Sequence, residues 1–290
     1  MEGFIDSYIF PNIFIVIIYI VVIAVVVQAY LDAKKRSHAL KAFALKHQFH
    51  SLGPTTYVKD SKLGLIFQLG RNGFFQERFT GTVHNYRAWM YIYSYKIGSG
   101  KSSKHLRQTV FELDAGSRMP HIFIDSRATG QGVSPVVSEV LRKSDRITIG
   151  GDFESDFTFY AQQGLEQEAL ELFTPDVLEN IKLYSKDFDI ELIANSVFIY
   201  STKVGLMLDD YEKMYQAVSL VLNALERNLK DFEMPQLPTK PGVNLDEPRQ
   251  LTRLKFGQKL LYKHEFIITL IIGLSVSIGI AYLLILLRNR

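Results

Sequence analysis

Two uncharged apolar stretches stand near opposite ends of the chain, and between them apolar residues either alternate or recur at helical spacing. Residues 9–30 and 266–287 are 22 residues each and carry no charge. As helices they reach about 33 Å, enough to cross a hydrocarbon core of about 30 Å, so both are expected to span a membrane. A cleaved signal peptide is the competing identity of the first. Against it, residues 1–8 hold Glu2 and Asp6 with no base, and the apolar run is too long for a signal core. In the second, Gly273, Ser275, Ser277 and Gly279 have the small-residue spacing that packs helices together, which would allow a homo-oligomer.

After the first stretch, Leu40, Phe43, Ala44, Leu45 and Phe49 recur among bases, so an amphipathic helix should continue until Gly53-Pro54 stops it. Short β-like segments come next, at 63–69 and 77–84. A turn around Asn85 leads to the most emphatic strand, residues 87–97, and strands at 106–113 and 121–125 complete an antiparallel meander. Residues 126–146 are polar, with a short helix expected over 136–142. Further strands are expected at 147–149 and 156–161, and helical character at 166–173. Thr174-Pro175-Asp176 then supplies an N-cap hydroxyl, a proline at the first helical position and a first-turn acid, starting a helix over 175–184. A hairpin around Ala194-Asn195 joins 188–193 to 197–201. Met207, Tyr211, Met214, Tyr215, Val218, Val221, Leu222, Leu225 and Leu229 mark one face of a long helix. Beyond it, Pro235, Pro238, Pro241 and Pro248 make residues 231–248 an extended linker.

The expected fold class is therefore α+β: an antiparallel β meander plus a second small α+β unit, flanked by one transmembrane helix at each end. In chain order this gives a short outer N-terminus (1–8), a span (9–30), a basic amphipathic juxtamembrane helix (31–52) and a β-rich unit (53–146). An α+β unit with a long final helix (147–230), a Pro-rich linker (231–248), a basic juxtamembrane segment (249–265), the second span (266–287) and the C-terminus (288–290) complete the order.

Charge adds an orientation. Lys34, Lys35, Arg36, Lys41 and Lys46 come after the first span, and Arg249, Arg253, Lys255, Lys259 and Lys263 precede the second. Lys and Arg resist translocation, so the region between the spans is expected in the cytoplasm of a plasma (inner) membrane protein, although Arg288 and Arg290 pull weakly the other way. These collars are assigned to anionic headgroups. The chain is +3 overall, yet residues 51–248 hold 21 basic and 26 acidic residues. An acidic central region disfavours nucleic acid as a partner, since such sites concentrate positive charge.

With no cysteine, disulfides, thiolate metal sites and cysteine nucleophiles are excluded. Gly98-Ser99-Gly100-Lys101-Ser102 evokes a phosphate-binding loop, but the first glycine that such a loop needs falls on Tyr95 and the residues after it read as strand, so a hairpin loop is the better account. Asp152, Glu154 and Asp156 would line one face of an extended segment and could hold a divalent cation, while a solvated strand edge is the simpler account of them. The seven histidines (His38, His47, His50, His84, His105, His121 and His264) lack ligand spacing and are expected to be amphipathic surface residues. Trp89 to Tyr95 could stack bases, but packing core is favoured. No Gly-x-Ser-x-Gly occurs.

Gln108-Thr109-Val110-Phe111-Glu112-Leu113, Met119-Pro120, the run from Gly150-Gly151-Asp152-Phe153 to Phe159-Tyr160-Ala161, and Ala169-Leu170-Glu171-Leu172-Phe173-Thr174-Pro175-Asp176-Val177 occur in that order. In these the chain resembles an uncharacterised bacterial family of membrane-anchored domains of unknown function, over roughly residues 64–225. The resemblance implies a cytosolic α+β module tethered to the inner membrane and brings no catalytic residue or cofactor. One span at each end departs from the family's common layout. The function expected is a membrane-tethered interaction or scaffold domain with an unknown protein partner and no cofactor. A membrane-associated hydrolase or nucleotide-binding protein, using the 98–102 loop or the Asp152/Glu154/Asp156 face, is the alternative.

Overall fold

The apolar run after residue 9 contains no helix breaker other than Pro11, and the backbone winds it into one helix, α1 (Glu2–Lys46). The computed structural model describes residues 2–53, 64–69, 71–97, 103–129, 146–201 and 207–232. The described residues divide into two compact units, one ending at Ser37 and the other beginning at His38. From Ile17 onward α1 is long and apolar enough to cross a membrane, with a mean hydropathy of 1.9 over its most apolar window and none of that window buried. The second expected span, the 249–265 segment with Arg249, Arg253, Lys255, Lys259 and Lys263, nearly all of the Pro-rich linker and the 136–142 helix lie outside the described residues.

The second unit is framed by an antiparallel sheet of seven strands: β1 (His50–Ser51), β2 (Arg71–Val83), β3 (Tyr86–Ile97), β4 (Lys104–Ser126), β5 (Arg146–Ile147), β6 (Phe157–Ala161) and β7 (Asp189–Ser201). Their order is β1-β2-β3-β4-β6-β5, with β7 also paired to β4. Leu113 back to Lys104 on β4 pairs with β3, and Ile122 to Ser126 pairs with β6. β7 runs along the opposite edge of β4 over both stretches. The β-rich region and the α+β region after it therefore share one sheet through β4.

Two expected breaks are bulges inside strands. Separate strands are expected at 106–113 and, after Pro120, at 121–125, but β4 is continuous, with residues 115–118 standing opposite the single residue Asn195. Proline, lacking an amide donor, is tolerated where the ladder is already interrupted. The expected hairpin at Ala194-Asn195 is likewise one strand, in which Ala194 takes a left-handed conformation at φ 51°. Bulges reverse side-chain parity. Thus Val110 and Phe198 share a face with Phe123 and Ile193, although the residue numbers change from even to odd.

The helices contain two corrections. A strand is expected at 63–69, but Leu65–Leu69 form the short helix α2, because an apolar run of this length fits either state and only tertiary context decides. Asp152, Glu154 and Asp156 do not alternate along a strand. Residues Phe153–Asp156 form one helical turn, α3, and Phe153 and Phe157 stack with ring centroids 5.0 Å apart, a separation of four residues along the chain. α4 (Glu166–Leu172) and α5 (Pro175–Tyr184) occur where expected, but the Thr174 hydroxyl makes no cap bond and instead donates to Asp176. α6 (Leu208–Asp231) buries Tyr211, Met214, Val218, Val221, Leu222, Leu225 and Leu229, while Met207 stands exposed at its N-cap.

These helices cover one face of the sheet. Leu40, Phe43 and Ala44 of α1, with α4, α5 and α6, pack on Phe79, Met90, Ile92, Phe111, Leu113, Ile122 and Ile199 in a single apolar cluster. Each large side chain buried there contributes about 1.5–3 kcal/mol. Leu45, expected on the same stripe, is 82% exposed because its position turns it away from the sheet.

Candidate functional site

The other face is built differently. Tyr91, Tyr93 and Tyr95 alternate along β3, and Tyr200, Phe198 and Ile193 line β7 beside Val110 and Phe123 of β4. Packing is the role favoured for the aromatic strand, and all three β3 tyrosines are buried. The chemistry lies between the rings. In register, β3 Tyr91, β4 Val110 and β7 Tyr200 form one row, and Trp89, Glu112 and Phe198 the next. Glu112 is 4% exposed and Glu191 fully buried.

Both carboxyls accept hydrogen bonds inside this face. The Tyr91 hydroxyl donates to Glu112 Oε2 at 2.9 Å. Glu191 accepts from the Tyr200 hydroxyl, from the Leu65 amide at 2.9 and 3.0 Å, and has His121 Nε2 2.7 Å from Oε1. Tyr200 lies nine residues along β7 from Glu191, about 30 Å in a straight strand. Their hydrogen bond therefore requires β7 to fold sharply at Ala194, which encloses the aromatic rings. Gly64 allows α2 to close over this point, since a Cβ there would come within 2.6 Å of the Tyr200 hydroxyl.

Burial first, and then the Glu112 carboxylate, pushes the Tyr91 hydroxyl well above the ordinary phenol range; burial and Glu191 do the same for Tyr200. Burial pushes Tyr93 up to about 12 and Tyr95 further. All four phenols therefore remain protonated donors at neutral pH. The network positions two carboxyls and ties α2, β3, β4 and β7 to one another.

The sequence expectation places His121 at the surface and does not single out Glu112, Glu191 or Tyr200. The available signal is parity, because Glu112 stands two residues from Val110 and Glu191 two residues from Ile193, both of which face inward here. His47 also departs from expectation: its Nε2 is 2.9 Å from Glu212 Oε2, its ring lies 4.1 Å from Tyr215, and the residue is half-buried. The carboxylate that local spacing does not supply arrives from a residue 165 positions away.

Of the collar residues, Lys34, Lys35 and Lys41 are exposed and Arg36 is half-buried. Lys46 instead pairs with Glu212 at 2.9 Å. Burial opposes ionisation of Glu212, but hydrogen bonds and charge from Lys46 and His47 outweigh it and hold the carboxyl below its ordinary range. Asp152, Glu154 and Asp156 are paired separately, with Lys182 at 3.6 Å, Arg146 at 3.3 Å and Lys186 at 2.7 Å. Among the described residues no group of three potential metal ligands converges. The 98–102 loop lies outside the described residues. The strands on either side of it are antiparallel partners, Ile97 opposite Lys104.

No protein-family model matches the chain, and no curated protein matches it. Among solved structures, the crystal structure of the mycobacterial trehalose monomycolate transport factor A, TtfA, is similar with a TM-score of 0.46 and 11% identity, covering 72% of this chain and 98% of that chain.

Proposed function

We propose that the chain is a membrane-tethered interaction or scaffold module, with one span at each end and the sheet-bearing unit in the cytoplasm of a plasma (inner) membrane protein. The bilayer is its first partner, through anionic headgroups at the collars, and a protein is its second. The observation that carries the reading is the exposed apolar stretch of α1. Ile20, Val21, Ile23, Val25, Val26 and Tyr30 are each more than half exposed along a helix long enough to span. A contiguous apolar surface of that length is compatible with lipid and not with water.

The sheet-bearing unit supports a scaffold role because its carboxyls and phenols are engaged with one another in the described face, and their effect is to hold strands and α2 in place. The uncharged 266–287 stretch supplies the second anchor, and its small residues allow helix-mediated self-association in the membrane. Alkaline carbonate or urea treatment of membranes tests the reading. The full chain is expected to stay in the membrane pellet, and release into the supernatant would refute the tether.

A further inference from the structure

On the helix-covered face, the sheet continues past Ile92 and Phe111 into a patch of another kind. Ser94 of β3 stands opposite Arg107 of β4, and Lys96 stands opposite His105. Thr109, two residues along β4 from Arg107, opens on the same face. Ser94 is fully buried and Thr109 is 2% exposed, and neither hydroxyl has a hydrogen-bond partner among the described residues. Arg107 is half-buried, while Lys96 and His105 are exposed at the rim. Phe74, opposite Ser94 in register, forms a wall with its ring 6.3 Å from that of His105.

Two features of this patch ask for a ligand. Buried hydroxyls without partners are rare in native proteins and point to an unseen water or ion. Lys96 stands across the ladder from the His105 imidazole with Arg107 one row along, a set of donors that suits an anion. Burial, and then the charges of Arg107 and Lys96, lower the His105 pKa. Cross-strand neighbours lie about 5 Å apart, a spacing that one tetrahedral oxyanion bridges.

We propose that Ser94, Thr109, Arg107, His105 and Lys96 form a binding site for a phosphate-type oxyanion, with hydroxyls at the floor and Arg107, Lys96 and the His105 imidazole at the rim. The phosphate could belong to an anionic lipid headgroup or to a small soluble molecule, and the chemistry is the same for both. In sequence, none of its residues adjoins a collar.

The test uses the full chain in detergent and in bilayer discs. Inorganic phosphate is titrated in detergent, monitored by calorimetry and by thermal midpoint. Discs of zwitterionic lipid alone are compared with discs containing phosphatidylglycerol, monitored by the imidazole signal of His105. A phosphate-dependent rise in midpoint that Lys96→Gln/Arg107→Gln abolishes supports a soluble ligand. A His105 response only to phosphatidylglycerol discs, lost in the same variant and kept in Lys34→Gln/Lys35→Gln, supports the headgroup. If Lys96→Gln/Arg107→Gln does not fold, Ser94→Ala and Thr109→Val decide, because each removes one of the floor hydroxyls. Binding about tenfold weaker in either variant supports the site. No response to phosphate or to anionic lipid, or equal binding by wild type and variants, overturns it.

Discussion

The two faces of the sheet solve the same packing problem with different materials. Under the helices one apolar cluster runs from Phe43 and Phe111 to Leu222 and Leu225. On the other face, Glu112 and Glu191 sit among tyrosines, and the short helix α2 is tied down by a carboxyl accepting its first amide. An apolar core holds by volume and tolerates modest shifts of its elements. A buried carboxyl fixes position, because every donor that loses it is left unsatisfied.

The largest expected effect lies on the apolar face. Phe111 touches the rings of Phe43, Phe49 and Tyr215, so Phe111→Ala should lower stability by about 3–5 kcal/mol in denaturant titration of the solubilised chain. Next, Glu191→Leu strands the Leu65 amide, the Tyr200 hydroxyl and the His121 ring, and should cost about 3 kcal/mol, with faster hydrogen exchange at Leu65. Glu191→Gln should recover part of that loss; equal costs for the two variants would show that charge, and not acceptor geometry, is what matters.

Tyr91→Phe removes one donor to Glu112 and should cost about 1 kcal/mol. Smallest is Lys46→Ala, at under about 1 kcal/mol, since Lys46 is 60% exposed and water screens its pair with Glu212.

The faces should also separate by pH. The buried phenols have pKa values raised above 10.0, so the stability they contribute is complete below pH 10.0 and is lost as pH rises through their folded values. For Tyr93 the window runs from 10.0 to about 12. Alkaline titration monitored by phenolate absorbance should show these tyrosines ionising only with unfolding, and Tyr93→Phe should flatten the decline between those limits. Ionisation of every tyrosine near pH 10.0 without loss of structure would contradict the enclosed face.

Local chemistry accounts for the part of the fold that is legible in the sequence. Thr174-Pro175-Asp176 marks the start of α5, the stripe from Tyr211 to Leu229 gives α6, and the alternation after Arg87 gives β3. The hidden part depends on contacts far apart in sequence. Pro120 and Ala194 look like strand ends, and only the β4–β7 pairing turns them into bulges that preserve one face. Glu191 reads as an ordinary strand acid until Leu65, from 126 residues away, donates to it. His47 and Glu212 come together only because the end of α1 packs beside α6.

The central claim, a cytoplasmic module on a membrane tether, is tested most directly by labelling. The chain has no cysteine, so one introduced at the exposed Glu171 of α4 gives an unambiguous signal. The account predicts that a membrane-impermeant maleimide leaves Glu171→Cys unlabelled in intact cells and labels it in inside-out vesicles. Labelling in intact cells would place the module on the outer side and contradict the account.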